Sequence, residues 1–219
     1  MDPGDERREA LLDMMVEGQA PSTGPIRLAA YDPEWPARFE EEKSRISTAL
    51  GPTARTVEHV GSTSVPGLIA KPIIDIVLVV PDSSDEARYV PPLQRAHYIL
   101  RIRERDWHDR VLRGAIIRSN VHVFSEDCPE IERMLLFRDR LRNHPDDRDL
   151  YAAQKRTLAS RQWAFVQDYA DAKSGVVEEI LTRAGVRRPG PEAGYPTGLQ
   201  EVPTVSLLRP GGGPSSDVP

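Results

Sequence analysis

The sequence is poor in cysteine: Cys128, between Asp127 and Pro129, stands alone, which excludes an internal disulfide framework and fits a reducing compartment. Nothing near it in sequence marks it as catalytic. Long apolar runs are missing too. No stretch approaches the roughly 20 apolar residues that cross a bilayer, and the charged start Met-Asp-Pro-Gly-Asp-Glu-Arg-Arg does not read as a secretory leader. A cytoplasmic location without a membrane partner is expected. A strong surplus of one charge is absent as well. A formal charge of -5 over 219 residues, with no basic-aromatic stripe, argues against nucleic acid as a partner. No internal repeat is visible.

What is present suffices for a core: 39% of residues are hydrophobic, enough for one generous domain. Residues 1–25 read as a flexible N-terminal extension with a short helix around Glu6 to Val16. Residues 26–185 read as the main domain. From residue 186 to 219 the chain turns Pro- and Gly-rich without periodicity, and disorder is expected there. Within the domain, Pro36 to Leu50 has helical spacing, Thr56 to Val60 reads as a short strand, and Ile73 to Val80 as a buried one. A helix over Asp85 to Arg95 is interrupted on paper by Pro91 and Pro92. Tyr98 to Arg103, Val111 to Arg118 and Val121 to Phe124 read as further strands. Glu130 to Arg142, Asp147 to Arg161 and Gln162 to Arg183 read as two or three amphipathic helices beside the sheet. The class is therefore α/β (α+β), and Trp107-His108 falls in a loop.

The chemistry concentrates between Glu58 and Val77. Gly61 permits close backbone approach, and Ser62, Thr63 and Ser64 offer donors to phosphate oxygens. Asp75 sits in an apolar strand, where an ionised carboxylate is costly without a compensating cation. A Mg²⁺ ion shared with substrate phosphates would compensate it, with Lys71 adding charge at the mouth. The alternative is a Gly-Ser turn beside an Asp that caps backbone amides. Spacing leaves both open. His59 and His122 are candidate metal ligands or proton carriers, although lone strand histidines are commonly structural. Tyr151 and Lys155 are four apart, as are Tyr169 and Lys173, so each pair shares a helix face. Turned inward, the lysines would neutralise phosphate; turned outward, they would snorkel to water from tyrosines at the core edge. Arg138 and Arg142 share another face, with Arg142 as an anion clamp or the whole face as a solvated salt-bridge row.

From Tyr31 to Ala184 the sequence resembles the GrpB family. The resemblance runs through Tyr31-Asp-Pro-Glu-Trp-Pro, His59-Val-Gly-Ser-Thr-Ser-Val-Pro-Gly-Leu, Lys71-Pro-Ile-Ile-Asp-Ile, Asn120-Val-His-Val-Phe124 and Leu136-Phe-Arg-Asp-Arg-Leu-Arg-Asn-His-Pro145, then Tyr151-Ala-Ala-Gln-Lys155 and Tyr169-Ala-Asp-Ala-Lys173. It implies a nucleotidyltransferase-like fold, a small mixed β-sheet flanked by helices with further helices at the C-terminal side. In that wider superfamily the acidic strand reads Asp-x-Asp and a later strand adds a third acid. Here Val77 replaces the second acid and His122 stands on the later strand. Two alternatives follow. One is a transferase that binds an NTP with Mg²⁺ at Asp75 and His122, or Glu58, and passes a nucleotidyl group to a small acceptor. The other is an inactive accessory module for another protein, such as a coenzyme A biosynthesis kinase, since the family's domain also occurs fused to dephospho-CoA kinase.

Overall fold

The computed structural model describes residues 2–103 and 110–185, all within one compact unit. Trp107 and His108, expected in a loop, and the residues from 186 onward lie outside them. Five strands form one mixed sheet: β1 (Thr56–Val60), β2 (Ile74–Val80), β3 (Tyr98–Arg103), β4 (Arg110–Gly114) and β5 (Ser119–Ser125). Their spatial order is β1-β2-β5-β4-β3. β2 and β5 run parallel at the centre, and every other neighbouring pair is antiparallel. The central position of β2 follows from its sequence. Ile74-Asp-Ile-Val-Leu-Val-Val80 is β-branched and apolar on both faces, as only a strand covered on both sides can be.

Alternation divides β2 between two cores. Ile74, Ile76, Leu78 and Val80 join Leu112, Val121 and Val123 under helices α2 (Trp35–Leu50) and α3 (Glu86–Arg95). Val77 and Val79 join Val60 and Phe124 on the other face, against Ile131, Met134 and Leu135 of α4 (Pro129–Asn143). A third cluster ties Val65 and Leu68 of the β1–β2 connection to Leu141, Tyr151, Ala152 and Ile180. It brings α5 (Pro145–Ala159) and α7 (Ser174–Arg183) against that connection.

Several elements differ from their expected limits. α3 runs through Pro91 and Pro92: the bonds lost in a short helix are offset by burying Tyr89, Val90 and Leu93. The stretch expected as one strand over Val111 to Arg118 stops at Gly114, because Ala115 to Arg118 turn the chain into β5 two residues before Val121. The last expected helix is two, α6 (Val166–Asp171) and α7, parted at Ala172 and Lys173. A first helix, α1 (Pro3–Asp13), buries Leu11 at 1% exposure. The chain after it lies along β3: Arg103 N–H donates to Met14 O at 2.9 Å and Val16 N–H to Arg101 O at 2.9 Å. Arg7 pairs with Asp168 at 2.8 Å and with Asp171, so this segment spans from the sheet edge to α6. Among the described residues no helix is long and apolar enough to cross a membrane.

Candidate functional site

Asp75 occupies the face of β2 turned toward α4, at the end where β1 leads into the Gly61 turn. Register pairs it with Val60 on one side and Asn120 on the other. Asn120 Nδ2 donates to Asp75 Oδ1 at 2.9 Å. Gly61 packs over the other carboxylate oxygen: its φ is +67°, and an added Cβ would stand 2.6 Å from Asp75 Oδ2. Glycine is required there on both counts.

The Ser-Thr-Ser turn divides its hydroxyls between two tasks. Ser64 Oγ donates back to Gly61 O at 2.6 Å, and Thr63 Oγ1 donates to Ile73 O at 3.1 Å, so both hold the turn. Ser62 is the hydroxyl left at the site, beside the Tyr151 phenol, which burial raises to about 12. Sequence alone did not separate these roles.

Three ammonium groups feel the field of the same carboxylate, though among the described residues none is in an ion pair with it. Lys155, 2% exposed, donates from Nζ to Ile69 O at 2.5 Å. Burial, then repulsion from Lys173 and Lys71, against the attraction of Asp75, lowers it to about 7. Burial also lowers Lys173, opposed by Asp75, and lowers Lys71, reinforced by Lys173. Lys155 is thus turned into the protein, while Lys71 and Lys173 stay partly exposed beside it. Each pair read from helical spacing is in contact: Lys155 lies 5.3 Å from the Tyr151 ring centroid and Lys173 4.8 Å from that of Tyr169. Lys71 approaches Tyr169 from the strand side at 5.8 Å. Tyr169, 1% exposed, carries a buried hydroxyl without a hydrogen-bond partner. A buried phenol in that condition is an unmet donor beside a cationic cluster.

The two histidines are placed differently. His59 pairs with Ile76 and lies on the opposite sheet face from Asp75. Its ring stacks on Phe39 of α2 at 4.7 Å. Its Nε2 is 3.0 Å from Thr63 Oγ1, and since that hydroxyl donates to Ile73 O, the imidazole is the donor. Burial, then the charges of Arg142 and Arg138, push it down to about 4, so it is neutral and structural in its contacts. His122 is on the Asp75 face but one pair further along, opposite Val77. Asn120 takes the place beside Asp75 that the reading of the sequence gave to His122. The parallel pairing of two seven-residue strands puts their second residues side by side, a signal readable only with the true start of β5. Glu58 is engaged by Arg138 Nη1 at 2.8 Å.

This donor set does not fit a metal ion held by the protein alone. Among the described residues no group of three or more His, Cys, Asp or Glu is arranged to hold one, and the single carboxylate is faced by three lysines. The same set fits a polyanion: positive charge, hydroxyls of Ser62 and Tyr169, and close backbone approach at Gly61.

Residues 25–183 match the family model described as GrpB protein. The chain is 55% identical over 177 residues to UPF0157 protein BH1888 of Halalkalibacterium halodurans, covering 80% of this chain and 91% of that one. It is 32% identical over 187 residues to a dephospho-CoA kinase of Mycolicibacterium paratuberculosis, of which it spans 46%. The crystal structure of conserved protein GrpB from Enterococcus faecalis superposes with a TM-score of 0.62 at 31% identity, covering 72% of this chain and 96% of that one. The fold is the small mixed sheet flanked by helices implied for a nucleotidyltransferase-like core, and by sequence and structure alike this chain belongs to the GrpB family.

Proposed function

We propose that this chain binds a nucleoside triphosphate at the Asp75 cluster and transfers its nucleotidyl group to a small acceptor. Lys71, Lys155 and Lys173 take the phosphate charge, Ser62 and the Tyr169 hydroxyl donate to phosphate oxygens, and Gly61 lets the chain approach closely. Asp75, held through Oδ1 by Asn120, keeps Oδ2 to accept a proton from the acceptor hydroxyl. The expected cofactor Mg²⁺ finds one carboxylate here, so the lysines supply the charge balance on the protein side. The observation that carries this reading is the grouping of Lys71, Lys155 and Lys173 on the rings of Tyr151 and Tyr169, at 4.8 to 5.8 Å, on the elements packed beside the Gly61 turn.

Titration calorimetry with ATP, GTP, CTP and UTP tests it. At least one nucleotide is expected to bind, about tenfold more weakly to Lys155→Met or Lys173→Met, with pyrophosphate release lost in Asp75→Asn. Absence of binding by all four removes the proposal. The match to part of a dephospho-CoA kinase favours a second reading, an accessory module for that enzyme. Co-purification of the two chains with no nucleotide turnover would select it.

A further inference from the structure

A second cleft, of about 500 Å³, lies along the outer edge of β1, which ends the sheet. None of Asp75, Lys71, Lys155 or Lys173 lines it. One side is α2, with Pro36, Phe39 and Lys43, and Tyr31 before it; Arg138, Arg142 and Arg148 line the cleft from α4 and α5. Its size is that of small-molecule pockets generally.

The charges in it are unevenly matched. Arg138 is spent on structure, donating to Asp139 at 2.7 Å, to Glu58 at 2.8 Å and to His59 O at 3.1 Å, which fixes α4 against the strand. Arg142 donates from Nε to Ser64 O at 3.0 Å and reaches Asp139 only at 3.4 Å. Among the described residues half-buried Arg148 makes no ion pair. Lys43 leans over the Phe39 ring at 5.8 Å. Four cations thus line the cleft against two carboxylates, Glu40 and Glu58; Arg138 takes up Glu58, and Asp139, just outside the lining, pairs with Arg138 and more loosely with Arg142, which leaves Arg148 and Lys43 in surplus. The surplus is felt by two separate groups. Burial and then Arg138 lower Arg142 against the pull of Asp139 and Glu58, and His59 is depressed by Arg142 and Arg138 after burial. A guanidinium held half-buried without a carboxylate, as Arg148 is, is costly, and an oxyanion shared with Arg142 recovers that cost.

We propose that this cleft binds a small organic oxyanion, its phosphate or carboxylate head between Arg142 and Arg148 and its apolar body against Tyr31, Pro36 and Phe39. The site is independent of nucleotidyl transfer and is tested without it. Calorimetry on the full chain uses inorganic phosphate, phenyl phosphate and benzoate as probes, with Arg148→Ala and Lys173→Ala as variants. Arg148 holds no ion pair, so its removal leaves the fold intact, as an unchanged circular dichroism melt checks. Phenyl phosphate or benzoate is expected to bind more tightly than inorganic phosphate, to weaken at least tenfold in Arg148→Ala, and to be unchanged in Lys173→Ala. Which of the two binds better identifies the head group. Absence of binding by both organic probes overturns the proposal, and so does binding that survives Arg148→Ala but is lost in Lys173→Ala.

Discussion

At the scale of single residues, Gly61 and Asp75 act as one unit. The left-handed φ of Gly61 and the 2.6 Å that a Cβ would leave to Asp75 Oδ2 make Gly61→Ala a strained substitution that also pushes the carboxylate away from Asn120. A loss of about 3 kcal/mol in stability is expected, from backbone strain and displaced packing together. Chemical denaturation measures it, and a change under 0.5 kcal/mol would mean the turn is placed otherwise. The sequence showed this pairing only as neighbouring motifs. A glycine before hydroxylated residues and an acid in an apolar strand are visible in one dimension, but the approach of one onto the other needs the β1–β2 register.

At the scale of elements, the site is an assembly of β2, the Gly61 turn and the face that α5 and α6 turn toward them. Helical spacing gave each tyrosine-lysine pair, since residues four apart share a face whatever the helix packs against. It could not say which way that face turns. The third cluster, joining Tyr151 to Val65 and Leu68, turns α5 inward and desolvates Lys155. A pH effect follows. Lys155 has a folded value near 7 against an ordinary 10.5, so between those limits the unfolded chain binds more protons and stability rises with pH. Lys71 and Lys173, lowered in the same direction, add to the slope, and Lys155→Met is expected to flatten it in denaturation curves from pH 7 to 10. An anion works the other way, because it draws the proton back onto Lys155. Tripolyphosphate affinity is expected to fall about tenfold between pH 7 and pH 8.5, with proton uptake on binding and without loss in EDTA. Affinity that is abolished by EDTA would place the anion on a metal instead of the lysines.

At the scale of the whole molecule, the N-terminal segment links two distant parts of the domain. It hydrogen-bonds along β3 through Met14 and Val16, its Ser22 O accepts from Val166 N–H at 2.8 Å, and Arg7 pairs with α6. α6 carries Tyr169, and Lys173 follows it. Deleting residues 1–22 is therefore expected to lower the melting temperature and weaken nucleotide binding together, while a chain ending at residue 185 keeps both. A deletion that melts and binds like the full chain would make the segment dispensable to the site.

The sequence by itself determined the strands β1, β2 and β3 nearly to the residue, the amphipathic helices, and the residue types of which the proposed phosphate site is composed. These are local properties, set by side-chain alternation and by the cost of a charge in an apolar run. Only the tertiary structure decided that His59 faces away from Asp75, that Asn120 and not His122 stands beside it, and that three lysines meet there. Those facts depend on strand register and on which helix face is buried. Both are settled by packing between segments far apart in the chain, where no local pattern reaches.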